Sequence, residues 1–212
     1  MNFKSHLLIH SIFLLVVFSE SVFAQTLDIV PFPKGIYLTL DDLLSINPSR
    51  AIEFTKVQGY NTKTYIIKDA NKKRIKKPFA ISDGVDLYIN SKQSKKLIKG
   101  SGKGMQGAMG NTYNKILVGN RSFLYFEDYF ATVGSAFMGG LSGVYTTYLC
   151  GVIFETSKRK VSVFRKPKDI NAFLSEHDAD LKIELPNRKL KIQETRNLMI
   201  DFFNLNETPT FL

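Results

Sequence analysis

The sequence predicts an α+β fold built on a mainly antiparallel sheet of about eight strands, with a short N-terminal helix and helices at the C-terminus. Two observations predict it. Short runs rich in Val, Ile, Tyr, Thr and Phe, punctuated by Gly, Asn and Asp, fill the chain from about residue 35 to residue 165. Beyond Pro167 the apolar residues change from strand-like runs to helical spacing. Strands first and helices last give the class, and barrel-like closure is one form such a sheet can take.

Each element has its own signal. Gly35 to Ser49 reads as a short strand followed by one or two helical turns, with Thr39 as N-cap, Asp41 and Asp42 in the first turn and Asn47-Pro48 as the stop. Glu53–Val57 and Thr64–Lys68 are expected strands, the second ending in the turn Asp69-Ala-Asn-Lys. Phe79–Ser82 and Asp86–Asn90 flank Asp83-Gly84, a hairpin signal. Ile116–Val118 and Ser122–Phe126 are joined by Gly119-Asn-Arg. Val144–Glu155 and Lys160–Arg165 form a hairpin over Thr156-Ser-Lys-Arg. Asp169–His177, with apolar residues at 170, 173 and 174, and Leu190–Leu205, with apolar residues at 192, 198, 199, 202 and 203, are the two amphipathic helices.

The first segment carries a different message. A basic start at Lys4, an apolar run over Leu7–Phe18 and the small-residue close Val22-Phe-Ala24 form the pattern of a cleaved secretory signal. Its apolar run is about a dozen residues, short of the roughly 20 that span hydrocarbon. Residues 1–24 are therefore expected to be the signal and residues 25–212 a single α+β domain with Gly-rich loops near 100–110 and 131–143, since no internal repeat or linker divides it. The exported protein would reside in the periplasm, on the outer surface or in the medium. Cys150 is the only cysteine, so no intrachain disulfide forms, and its apolar neighbours predict a buried thiol.

Chemistry-bearing motifs are sparse. Of the three histidines only His177 lies beyond the signal, so a multi-histidine metal site lacks its parts, and neither a metal nor a cofactor is expected. His177, Asp178 and Asp180 lack the remaining ligands and the glycine of a calcium loop. H-E-x-x-H is absent, and no serine has glycines at both −2 and +2. Asp83 with Asp86, and Glu127 with Asp128, are the carboxylate pairs that a secreted hydrolase would use; a hairpin turn and exposed strand-end charges account for the same residues. Gly-Lys-Gly-Met-Gln-Gly, residues 102–107, matches the dinucleotide fingerprint, but its approach, Lys95-Lys-Leu-Ile-Lys, is too charged for a central strand and no helix signal follows.

Charge is the strongest functional cue. The chain carries a net charge of +10, and loss of residues 1–24 leaves it unchanged because Lys4 and Glu20 cancel. The cations cluster at Lys72-Lys-Arg74 with Lys76-Lys77, at Lys92 with Lys95, Lys96 and Lys99, and at Lys158-Arg-Lys160 with Arg165, Lys166 and Lys168. Lys95, Lys96, Lys99, Lys103, Lys158, Arg159 and Lys160 are the candidate binding residues, for anionic envelope components such as lipid headgroups or acidic polysaccharide, or for another envelope protein; lysines that decorate turns and shield strand edges account for the same clusters without a ligand. Export argues against nucleic acid as the ligand. A second cue is the stretch from Ala131 to Phe154, which has no charge and places Ser135, Gly139 and Gly143 four residues apart; a strand after a Gly-rich loop accounts for it, and contact with a membrane or a span across one is the alternative.

Gly35–Ser49, Ser82–Asn90, Asp169–Leu181 and Asn197–Asn204 resemble a family of uncharacterised exported proteins from Bacteroidetes-type bacteria. The resemblance implies an exported, β-rich cell-envelope protein with C-terminal helices and transfers no active-site residues. Together these readings predict a non-enzymatic binding or assembly role at the cell envelope, with the carboxylate hydrolase and the membrane-associated protein as alternatives.

Overall fold

The structure, a computed structural model, describes residues 32–51, 53–59, 62–98, 112–133, 145–177 and 191–206. The expected signal segment lies outside them, as do most of both Gly-rich stretches. Nine strands form one antiparallel network: β1 (Gly35–Tyr37), β2 (Phe54–Gln58), β3 (Thr64–Asp69), β4 (Ala80–Ser82), β5 (Leu87–Asn90), β6 (Tyr113–Gly119), β7 (Phe123–Val133), β8 (Tyr145–Glu155) and β9 (Lys160–Phe164). Four helices accompany them among the described residues: α1 (Leu40–Leu44), α2 (Ser91–Lys95), α3 (Pro167–His177) and α4 (Ile192–Asn206).

Strand β6 is the branch point. Its first residues pair with both β3 and β5, giving the order β1-β4-β5-β6-β3-β2. A register shift between Ile116 and Val118 then turns the strand toward β7, giving β6-β7-β8-β9. The path ends at β1 and β9, which do not pair, so the sheet is open and the barrel-like closure is not formed. The two halves instead share one core. Tyr37, Ala80, Leu87 and Ile89 of the first half pack with Leu124, Phe126, Phe130, Val152 and Phe154 of the second.

Alternation along β7 sorts its side chains between two cores. Leu124, Phe126 and Phe130 enter the interface between the halves, where Cys150 is also buried. Tyr125 faces the other way, onto Phe173, Leu174, Met199, Phe202 and Phe203 of α3 and α4. A third cluster, Ile36, Ile67, Ile81, Tyr88 and Tyr113, covers the remaining face of the first half, with Ile75 packed against it.

Strand β7 runs through Glu127-Asp128 to Val133, paired residue by residue with β8. The expectation that these acids are exposed strand-end charges is overturned: both are mid-strand, with 2% and 6% of their surface exposed. Helix α2 has no counterpart in the sequence reading. Its cap is Asn90, whose Oδ1 accepts from the backbone N–H groups of Lys92 and Gln93. At α1, Thr39 and Asp42 form a reciprocal capping box.

Candidate functional site

Adjacent residues of a strand point to opposite faces, so Glu127 and Asp128 do not form a pair. Glu127 lies on the helix side, where the Arg196 guanidinium of α4 grips both its oxygens at 2.9 and 3.1 Å and Lys63 approaches to 3.6 Å. Asp128 lies on the other side, accepting from Ser91 Oγ at 2.7 Å and pairing with Lys95 at 2.9 Å. Asn114 and Thr64 extend that buried chain of hydrogen bonds through Ser91. Both arrangements fasten elements together: Arg196 holds α4 to the sheet, and Lys95 holds α2.

Asp83 and Asp86 do share a partner, the Tyr88 hydroxyl, at 3.3 and 3.1 Å. Each also holds a lysine, Lys56 on Asp83 at 2.6 Å and Lys115 on Asp86 at 2.7 Å. Burial would raise the Asp83 carboxyl, but the Asp86 N–H, Lys56 and the Val85 N–H outweigh it and hold the group at about 2. Burial, joined by the charges of Asp86 and Asp83, pushes the Tyr88 phenol upward. A glycosidic acid needs a carboxyl that keeps its proton near neutrality, and Asp83 is held in the opposite state.

The residues selected as binding cations fall into two groups. Lys95 is bound to Asp128, Lys158 to Glu155 and Glu176, Lys160 to Glu176, and Arg159 to Asp41. Lys96 is exposed and donates to Gln93, while Lys99 and Lys103 lie outside the described residues. The Lys158 and Lys160 ammonium groups draw the Glu176 carboxyl down to about 2. Glu155, Glu176 and His177 are also the one grouping of metal-type ligands among the described residues. Lysine ammonium groups already neutralise both carboxylates, and His177 Nε2 faces Glu155 at 3.3 Å while its ring packs on Phe123 and Phe173. Asp178 and Asp180 lie outside the described residues.

A different set of cations faces solvent. Arg50, Lys73, Arg74, Lys76 and Lys77 are exposed and make no ion pair with an acid among the described residues. They rim a groove of about 720 Å³ whose floor is Ile36, Leu38, Ile75 and Pro78. Its one acid, Asp69, is used locally: Oδ1 accepts from the Lys73 N–H, closing a turn in which Lys72 takes φ 61. The strap 48–50 crosses β1, with Ile36 N–H donating to Arg50 O at 2.8 Å. Gly35 permits that crossing, because a Cβ there would lie 2.7 Å from both Arg50 O and Pro48 Cβ.

The backbone under the cations is pinned. Ile75 N–H donates to Ile67 O, and Phe79 N–H to Tyr37 O. Asn90 and Gln93 donate their side-chain amides to Lys76 O and Lys77 O. The segment is therefore a scaffold held by its own hydrogen bonds, bearing cations that make no ion pair among the described residues. The run Lys72–Lys77 is visible in the sequence as a basic cluster, but nothing local distinguishes it from the paired runs. Arg50 and the apolar floor carried no sequence signal, because only the bridge from Ile36 to Arg50 brings them to it.

No family model matches this chain. No curated protein and no solved structure matches it either. Residues 102–107 lie outside the described residues, but the elements flanking them are helix α2 and antiparallel strand β6, with no parallel pair among the described strands. A dinucleotide fingerprint requires a strand before it and a helix after it. Residues 131–133 and 145–154 belong to β7 and β8, and among the described residues no helix is long and apolar enough to cross a membrane.

Proposed function

We propose that this chain is an exported cell-envelope protein that binds anionic envelope material through the groove rimmed by Arg50, Lys73, Arg74, Lys76 and Lys77, without chemical turnover. One observation carries the reading: these five cations have no acidic partner among the described residues, whereas four of the five described cations first selected from the sequence are neutralised within the protein. An uncompensated cationic rim on a fixed backbone attracts anions at a distance and loses little order on holding them. The export signal and the resemblance to exported Bacteroidetes-type proteins support an envelope setting for the same reading.

The test is co-sedimentation of the mature chain with phosphatidylglycerol vesicles, compared with phosphatidylcholine vesicles. Binding to the anionic vesicles at low salt, weakening steadily as salt rises, is expected from screening. Equal retention by both vesicles, or none by either, contradicts the proposal.

A further inference from the structure

We propose that the groove holds an anionic lipid as an amphiphile, its phosphate on the cationic rim and the first part of one acyl chain on the apolar floor. This inference rests on the binding reading above and adds the class of ligand. A polyanion such as an acidic polysaccharide would satisfy the rim and leave the floor unused. Yet Leu38, with 39% of its surface exposed, stands among the cations, beside Ile75 and the buried Ile36 and Pro78. A neutral apolar ligand would use the floor and leave five charges without counter-ions. Only a molecule that is anionic at one end and apolar at the other satisfies both sets at once.

Size and chemistry agree. A cavity of about 720 Å³ falls within the range of small-ligand sites, roughly 300–1,000 Å³. The guanidinium groups of Arg50 and Arg74 suit the forked geometry of a phosphate, and Lys73, Lys76 and Lys77 supply point charges around it. The methylene stems of the same lysines extend the apolar wall beneath their charged heads. Asp69 is the one acid among the described lining residues, so five cations outnumber it around the groove.

The experiment is calorimetric titration of the mature chain with monomeric lysophosphatidylglycerols of increasing chain length, with glycerol phosphate as the chainless probe and lysophosphatidylcholine as the zwitterionic one. Affinity is expected to rise about fourfold for each methylene that reaches the floor, then level off once the floor is covered. Lysophosphatidylcholine of equal length should bind at least about tenfold more weakly, from the loss of pairing with the rim. Leu38→Asp should flatten the chain-length series. Affinities independent of chain length, or equal for the zwitterionic probe, overturn the amphiphile. If chain length has no effect while anionic vesicles still bind, the charge-based reading stands and only this inference falls. If neither the lysolipids nor the vesicles bind, both fall.

Discussion

The turn joining β8 to β9 and the segment preceding β4 carry nearly the same sequence feature, a run of adjacent lysines and arginines, and use it in opposite ways. At Lys158-Arg159-Lys160 each charge meets an acid: Glu155 and Glu176, Asp41, and Glu176 respectively. Those pairs tie the turn to α3 and α1. At Lys73, Arg74, Lys76 and Lys77 the backbone is held by hydrogen bonds that do not use the side-chain charges, and those charges are exposed with no ion-pair partner among the described residues. The difference teaches that a basic run becomes a binding surface when something other than its own charge holds it in place. Where the charge itself is the fastening, little of it remains for a ligand.

The paired side can be broken most severely at α4. Arg196→Met would leave Glu127, 2% exposed, with only Lys63 at 3.6 Å. A stability loss of up to about 3–5 kcal/mol is expected in a denaturant titration, because the buried carboxylate loses its two-pronged partner and keeps only the longer Lys63 contact. Anionic binding by the folded fraction should be unchanged. The groove side has its own fixed point at Gly35. Gly35→Ala places a Cβ 2.7 Å from Arg50 O and should cost about 1–3 kcal/mol through displacement of the strap. Because the strap carries Arg50, vesicle affinity should fall as well, which Arg196→Met should not produce.

Glu176→Gln converts one region toward the other. It removes the carboxylate shared by Lys158 and Lys160 and leaves Lys160 without its acid. Stability should change by no more than about 1 kcal/mol, as for exposed pairs. Vesicle affinity should rise by up to about fivefold, from roughly 1 kcal/mol for a cation newly available near an anionic surface. Acid offers a gentler version of the same change. The Glu176 carboxyl is lowered from 4.5 to about 2, so its contribution is fully present above pH 4.5 and is lost as the pH falls from 4.5 through 2. The effect should be small, screened by solvent, and visible as loss of the contact between α3 and the β8–β9 turn in an NMR titration.

What the sequence made legible was periodic and local. The two helical stripes, Ile170, Phe173 and Leu174 on α3 and Met199, Phe202 and Phe203 on α4, are the residues that bury against the sheet. Thr39 announces its cap because the capping signal spans four residues. Glu127-Asp128 misled because two adjacent acids resemble a strand end. They are tolerated mid-strand only because Arg196, distant in sequence, meets one face, and Ser91 and Lys95 meet the other. Helix α2 depends on the same Asp128 and on the Asn90 cap, so its short run of polar residues showed no stripe. The groove was hidden for a related reason. Whether a lysine is free depends on where every acid ends up, and that is decided by the pairing of distant segments.

The most direct test sets the two basic runs against each other on phosphatidylglycerol vesicles at low salt. One variant neutralises Lys73, Arg74, Lys76 and Lys77 to Gln; the other neutralises Lys158, Arg159 and Lys160 to Gln. The first should lose roughly 4 kcal/mol of vesicle binding, at about 1 kcal/mol per charge, with stability near that of the parent. The second should keep most of its binding and lose some stability instead. Equal loss of binding in both variants, or a greater loss in the second, would contradict the assignment of the anionic site to the groove.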